Sequence, residues 1–268
     1  MDFRIIKEYP EITTAISRIK RKAKEKGIKV HTNYFPNTDL HTDWISRSEF
    51  EIMEDEGFIL LKHHRELVDE YFFASADDDE LCRHVRQKIL NVPQPSVFEQ
   101  IGGVINLLPV RRRLMRMRRA SESVNRPTSE TGQTVKAVTG NKTDIEKIRN
   151  ILIDSFDVVS DRIPSEEELR TLASTGGILK IEDDNKIQGI LIYESGKSSY
   201  HLRYWWSSPE QRGKGTGGLL LKEFLRKSEV AGRQHLWVDQ SNLNAIERYR
   251  HYGFKEDGTV DVIQSNVI

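Results

Sequence analysis

Four glycines, Gly213, Gly215, Gly217 and Gly218, crowd the stretch Ser207–Leu221 (SSPEQRGKGTGGLLL). A strand-like run, Ser199–Trp206, precedes it, and a helical pattern with Leu220, Leu221, Phe224 and Leu225 follows it. Glycine has no Cβ to block a close ligand and adopts unusual φ angles at little cost. The first amides of the following helix have no intrahelical acceptor, and with the helix dipole they make a seat for an anion, typically a phosphate. Arg212 and Lys214 add positive charge. This is strand–loop–helix chemistry for a diphosphate. A tight strand–helix turn without a ligand is the plainer reading of the same residues.

Two known diphosphate loops fit poorly. The spacing does not give Gly-x4-Gly-Lys-Ser/Thr. Gly213-x-Gly215-x-x-Gly218 matches the dinucleotide pattern formally. That pattern belongs to the first unit of a parallel fold, with an acid about 20 residues onward. Here the loop follows three antiparallel-looking strands, and Glu229 lies inside the helix.

A second constellation lies downstream: Asn242-x-x-Ala245-Ile246-x-x-Tyr249-x-x-x-Gly253-Phe254. With it, the chain resembles the GNAT acyltransferase superfamily over about residues 134–268. That family's acetyl-CoA loop carries Arg/Gln-x-x-Gly-x-Gly/Ala, usually after a proline and before small and aliphatic residues. Pro209, Arg212, Gly213, Gly215 and Gly217 fall in register, followed by Leu219–Leu221. Glu210 is read as a departure at the usual Arg/Gln position.

The resemblance implies a role for each matching position. The amides of Gly213, Lys214, Gly215, Thr216, Gly217 and Gly218, with Arg212 beside them, would hold the pyrophosphate of acetyl-CoA. The strand end at Trp205, Trp206 and Ser207 would pair with the pantetheine arm and polarise the thioester carbonyl. Asn242 would touch the pantetheine; capping the next helix is its alternative. Tyr249 would protonate the departing thiolate, since a phenol stays protonated at neutral pH. A core tyrosine is the rival account, and Tyr252 is expected to pack. The implied reaction is direct transfer of an acetyl group to a primary amine. A non-catalytic acyl-CoA-binding or regulatory module is the alternative.

The general base is less marked. Members with a base on the fifth strand often place Glu five residues before the asparagine, and here that position is Trp237. Asp239, His201 and Glu194 are the remaining candidates. Tyr204, Trp205, Trp206 and Trp237 would line an acceptor pocket or pack the core.

The positioning elements read as β-α-α-β-β-β-α-β-α-β, a mixed α/β sheet. Strands are expected at Thr134–Val138, Ile178–Glu182, Ile187–Glu194, Ser199–Trp206, His235–Gln240 and Thr259–Ile263. Helices are expected at Thr143–Phe156, Ser165–Leu172, Leu219–Glu229 and Ala245–Tyr252, the first capped by Thr143 or Asp144 and the second opened by Ser165. Ser121–Gln133, rich in Ser, Thr, Glu and Gly, reads as a linker. The expected domains are 1–120, an α/β unit, and 134–268, the acetyltransferase domain.

The chain of 268 residues holds 41 Lys+Arg and 41 Asp+Glu, so its net charge is zero. Each side of the linker is nearly neutral too, which argues against a generic polyanion binder and makes nucleic acid an unexpected partner. The single Cys82 excludes an internal disulfide framework and multi-cysteine metal sites. No metal is expected: His31, His41, His63, His64 and His84 lack helical ligand spacing and read as surface histidines. No apolar run approaches the ~20 residues of a membrane span, so a soluble, cytoplasmic protein is expected. Its partners would be acetyl-CoA and an amine acceptor, with a homodimer as one assembly.

In the first half, Ile12, Ala15, Ile16, Ile19 and Ala23 predict a helix stopped by Gly27. Phe58–His64 and Leu67–Ala74 predict a hairpin, and Asp77–Asp79 a helix running to Leu90 before Pro93 and Pro95. Gly57–Lys62 followed by Glu66–Ser75 echoes Gly177–Lys180 followed by Lys186–Ser195. The echo suggests a degenerate GNAT-like unit without the glycine loop. Arg111–Arg119 (RRRLMRMRR) holds six arginines. It reads as a solvated helix face or packing surface, or as a site for acidic partners.

Overall fold

Helix α1 shows how the apolar spacing becomes structure. In the computed structural model it spans Tyr9–Lys26, and the five expected residues, Ile12 to Ala23, are its buried stripe. Gly27 closes it at φ 65°, a left-handed angle that suits glycine. The structure describes residues 2–64, 67–75, 79, 82–83, 87, 96–102, 105–120, 133–230 and 232–267. Most of the helix expected from Asp77, its stop at Pro93 and Pro95, His84 and residues 121–132 of the expected linker lie outside them.

The chain divides into two compact units, Met1–Arg113 with Val260–Ile268, and Leu114–Thr259. Before α1 comes β1 (Arg4–Ile5); after it come β2 (His31–Thr32), α2 (Thr38–Ser46), β3 (Phe50–Glu54), β4 (Phe58–His64), β5 (Val68–Ala74), β6 (Ser96–Ile101) and β7 (Val110–Ala120). The second half holds β8 (Lys136–Ala137), α3 (Lys142–Ser155), α4 (Glu166–Ser174), β9 (Ile178–Asp183), β10 (Lys186–Ser195), β11 (Ser199–Ser207), α5 (Thr216–Lys227), β12 (Arg233–Asp239), α6 (Leu243–His251) and β13 (Lys255–Ser265). Its element order matches the sequence reading throughout.

In the first unit the strands lie in the order β1-β3-β4-β5-β6-β13. Among the described residues only β5 and β6 run parallel. The expected hairpin is β4–β5. Gln264 on β13 secures the loop before β7: its Oε1 accepts the Leu107 and Leu108 N–H groups, and its amide donates to Ile105 O. On β4 and β5, Lys62 and Glu70 are register partners with Nζ 3.5 Å from Oε1, while Ser96 Oγ donates to that oxygen at 2.7 Å. Losing either member would strand the other charge in the core, at a cost of about 3–5 kcal/mol.

The histidines of this unit correct the surface reading. His41 and His63 are 3% and 2% exposed, and His63 stacks on Trp44 with ring centroids 3.7 Å apart. His41 Nδ1 lies 2.8 Å from the Tyr34 hydroxyl and accepts the Asn37 N–H at 3.3 Å. Burial makes a charge on this ring costly and the neighbouring His63 adds to the cost, so its pKa falls from 6.5 to about 4. Between those values the unfolded chain binds a proton that the folded chain refuses. This contribution to stability is therefore complete above pH 6.5 and is lost as pH falls toward 4. Denaturant midpoints at pH 7 and 4.5 should show the drop, and His41→Gln should shrink it. An unchanged slope in the variant would contradict this account.

The second unit has the strand order β8-β9-β10-β11-β12-β7. Again only one pair, β11–β12, runs parallel. Both units thus repeat one pattern: a first strand, two helices, three antiparallel strands, a parallel neighbour and a last antiparallel strand. In both, that last strand comes from elsewhere in the chain. Arg111–Arg119 corrects the helix reading, because it lies within β7, paired with β12 from Leu114 to Ala120. Asn141, rather than Thr143 or Asp144, caps α3 by accepting the Asp144 N–H. Ser165 caps α4 in a reciprocal pair with Glu168, as expected.

One face of this sheet packs Leu191, Leu202, Leu236 and Met117 against α5 and α6 residues such as Leu220, Phe224 and Ile246. The other face packs Ile190, Ile192 and Tyr204 with Ile148 and Leu169 of α3 and α4.

Candidate active site

The glycine loop is built by two different demands on glycine. Gly213 and Gly215 sit at φ 81° and 86°, with nothing within 4 Å of an added Cβ, so backbone conformation selects them. Gly217 and Gly218 are selected by closeness. A Cβ on Gly217 would come within 3.0 Å of Ser207 Oγ and 3.2 Å of the Trp205 ring. One on Gly218 would come within 2.8 Å of the Tyr252 hydroxyl. Gly189, which sequence reading missed, has the same reason: its Cβ would meet Leu220 and Thr216 at 2.9 Å. Its hydrogen side lets α5 seat on β10.

Gly215 is the N-cap of α5 and offers no side-chain cap. The first helical bond runs from Leu219 N–H to Gly215 O at 3.0 Å. The amides of Thr216, Gly217 and Gly218 precede it and have no intrahelical acceptor; Thr216 and Gly217 are buried and Gly218 is half-buried. The Arg-x-x-Gly-x-Gly spacing is met by Arg212, Gly215 and Gly217, so Glu210 is outside that register. Arg212 and Lys214 are exposed beside the helix start. The Thr216 side chain is buried and donates to Gln133 and Gln211 Oε1. It braces the loop.

The strand leading into the loop carries a feature the sequence reading missed. Ile192 pairs with Tyr204 but Tyr193 pairs with Leu202, so Arg203 is an extra residue on β11. Such a β-bulge shifts the strand's facing by one. Tyr200 and Leu202 pack on the α5–α6 face, as Trp205 does, whereas Tyr204 and Trp206 pack on the opposite face. Arg203 is pinned by Nη1 to Glu194 Oε1 at 2.8 Å and Nη2 to Arg162 O at 3.2 Å. The parallel pairing with β12 ends at the same place, at Leu202 with Leu236. Beyond it β11 stays paired to β10 through Ser207, and among the described residues no strand pairs with its other edge. Trp205, Trp206 and Ser207 lie on this open segment. The Trp205 indole N–H donates to Gly217 O at 3.0 Å and ties the strand to the loop.

Helix α6 brings Tyr249 under this opening. Ile246 and Tyr249 are the helix's buried residues, three positions apart on one face. The Tyr249 ring lies 5.3 Å from that of Trp205 and 5.9 Å from that of Phe254. Burial raises its pKa, so the phenol keeps its proton. No hydrogen bond to this hydroxyl is seen among the described residues. Asn242 is exposed, and its Oδ1 caps α6 by accepting the Ala245 N–H at 3.1 Å. Tyr252 is half-buried with its hydroxyl against Gly218.

The base candidates separate clearly. Hydrogen bonding to His201 and the charge of Arg203 hold the Glu194 carboxyl at about 2, which makes it a weak proton acceptor. Asp239 Oδ1 accepts both the N–H and the hydroxyl of Ser241, building the turn before α6. The rings of His201 and His235 stack with centroids 4.6 Å apart, and burial with nearby positive charge pushes His235 down to about 4. Of the four aromatics, Tyr204 is locked, donating to Asp161 O and Arg162 O. Trp205 and Trp206 pack against the two cores, and Trp237 stays half-buried on the face opposite α6.

Residues 145–254 match the sequence profile of the Acetyltransferase (GNAT) family. They form a GNAT domain. The match holds the bulge of β11, the glycine loop and Tyr249. Solved structures share the fold of the larger chain. A GCN5-related N-acetyltransferase from Sphaerobacter thermophilus superposes with TM-score 0.63 at 13% identity, over 98% of this chain and 95% of that one. A GNAT-family acetyltransferase from Colwellia psychrerythraea gives 0.56 at 10% identity, over 99% of each chain. A tandem GNAT protein from the clavulanic acid biosynthesis pathway gives 0.51 at 10% identity, over 81% of each. At such identities the likeness is one of fold. No curated protein matches the chain. The GNAT domain supports acyl transfer in general; among the described residues there is no cluster suited to a metal and no helix long and apolar enough to cross a membrane.

Proposed function

We propose that the GNAT domain moves an acetyl group from acetyl-CoA directly to a primary amine. The observation that carries this reading is the pairing of a strand edge without a neighbour with a glycine-rich helix start that follows it. Trp205–Ser207 of β11, with no strand on that edge among the described residues, leads toward the amides of Thr216, Gly217 and Gly218, which have no intrahelical acceptor. An extended pantetheine arm pairs with the strand edge as an added strand would. Its diphosphate reaches the helix start, where the Cβ directions of Gly213 and Gly215 are empty and Arg212 and Lys214 supply charge. A strand N–H polarises the thioester carbonyl. The Tyr249 hydroxyl, buried and protonated, donates to the departing sulfur. Asn242 holds its helix and presents its amide to the arm.

The amine must attack in its neutral form, so its proton has to leave. His201, with Nδ1 3.6 Å from Glu194 Oε2, is the candidate backed by a carboxylate. Glu194 itself is spent on Arg203 and His201. That arrangement keeps one alternative in view, an acyl-CoA-binding module without turnover. The first unit repeats the strand order of the GNAT domain, yet no glycine occurs between Gly57 and Gly102, so it has no loop of this kind. We read it as a degenerate, non-catalytic GNAT-like unit. A lone cysteine suits a reducing compartment such as the cytoplasm.

Calorimetric titration tests the seat. Acetyl-CoA should bind saturably, and absence of heat at high micromolar protein would remove the reading.

A further inference from the structure

The arginine-rich strand β7 gives the acceptor side of the cleft a chemistry of its own. Met115 and Met117 turn toward the core that holds α5 and α6. Strand alternation sends Arg116 and Arg118 to the opposite face. On that face their register partners are Trp237 and His235. Trp237 is the first β12 residue beyond the last β11–β12 pair, so this row borders the opening. The glycine loop and Tyr249 occupy the α5–α6 side, which leaves the acceptor to arrive from the side of Arg116, Arg118 and Trp237.

The two guanidiniums converge on one carboxylate. Arg116 Nε and Arg118 Nε lie 2.8 and 2.7 Å from Asp257 Oδ2, and Arg116 Nη2 donates to Thr259 Oγ1 at 2.7 Å. One negative charge thus faces two positive ones. The pair is only partly buried, with side-chain exposures of 23% and 42%. The Arg118 Nη groups make no hydrogen bond seen among the described residues. A guanidinium fork of this kind fits a carboxylate or phosphate two-pronged. The Arg116 guanidinium also lies 5.6 Å from the centre of the Trp237 ring, which offers a flat apolar wall beside the charge. Strand spacing of about 5 Å puts this charge one strand away from the opening.

We propose that the amine acceptor carries a second, anionic group, a carboxylate or a phosphate, held by Arg118 with Arg116 while its carbon chain lies against Trp237. The inference rests on the acetyl-transfer reading and names the acceptor class for the same cleft.

Matched pairs of amines test it by calorimetry on protein with and without desulfo-CoA. One arm compares 5-aminovalerate with pentylamine, the other phosphoethanolamine with ethanolamine. At least one anionic member should bind about tenfold or more tighter than its neutral partner. In Arg118→Gln that preference should fall below about threefold, with Arg118→Lys intermediate, since lysine keeps the charge and loses the fork. The stronger arm identifies carboxylate or phosphate. Equal binding within both pairs, no binding of any member at millimolar concentration, or a preference that survives Arg118→Gln would overturn the proposal. Loss of desulfo-CoA binding alone would instead strike the acyl-CoA reading, because the amine preference is also measured on the free protein.

Discussion

Gly215→Asp is expected to weaken acetyl-CoA binding about a hundredfold, the loss of one or two charge-assisted hydrogen bonds. Gly215 is the N-cap of α5, and its Cβ direction is empty. Asp tolerates a left-handed φ better than most residues, so the fold should survive with a modest penalty. The new carboxylate would lie beside the amides of Thr216, Gly217 and Gly218, the proposed seat of the diphosphate. It would repel that group and compete for its donors. The check is calorimetry beside a thermal melt. Binding within about threefold of the parent, in a variant with a similar melting temperature, would mean that the diphosphate sits elsewhere. Lys214→Gln is a milder comparison, because its charge is exposed and screened.

The second large effect is expected from Tyr249→Phe. General acids of this kind contribute about 10²–10⁴-fold in rate. The substitution should therefore lower kcat about a hundredfold or more while the KM for acetyl-CoA stays within about threefold. The asymmetry follows from the geometry. The ring packs against Trp205 and Phe254, and phenylalanine keeps that packing. Only the hydroxyl is lost, and it makes no hydrogen bond seen among the described residues that would be missed in the resting fold. Tyr252→Phe is the matched control. Its hydroxyl lies against Gly218, beside the diphosphate seat, so any effect should appear in KM. Equal kcat for Tyr249→Phe, under conditions where chemistry limits the rate, would take Tyr249 out of the mechanism.

Much of the candidate site's placement was legible because its elements are local. The glycine loop announces itself by composition, and the element order of the second half follows from plain alternation of strand and helix periods. The place of Tyr249 on the buried face of α6 follows from its spacing from Ile246, and Asn242 stands at that helix's N-cap. Where the reading failed, the deciding interactions were distant in sequence. Arg203 fits a strand pattern as well as its neighbours do, and only pairing with β10 shows it to be extra. Arg111–Arg119 hides its strand character behind arginine doublets, although Arg116-Met117-Arg118 alternates. Its partner β12 lies more than a hundred residues downstream. His41 and His63 look like surface residues until the aromatic cluster that buries them is assembled. The cap of α3 moved from Thr143 or Asp144 to Asn141, the kind of boundary shift that local patterns do not fix.

The proposed base and acceptor groups lie on the face opposite α6, and this face is built by three strands that are not neighbours in the chain. His201 on β11, His235 and Trp237 on β12, and Arg116 and Arg118 on β7 meet only after folding. No local motif marks them. Their common signal is weak alternation of polar and apolar residues in strands whose other face is core.

Acyl transfer itself is tested most directly by free-thiol release from acetyl-CoA across a panel of primary amines, small, sugar-borne and peptidic, with anionic and neutral members. The account requires thiol release above the amine-free rate for at least one acceptor, matched one-to-one by N-acetylated product, and lost in Tyr249→Phe. Saturable acetyl-CoA binding with no amine-dependent thiol release from any member would contradict it and leave a binding module in its place.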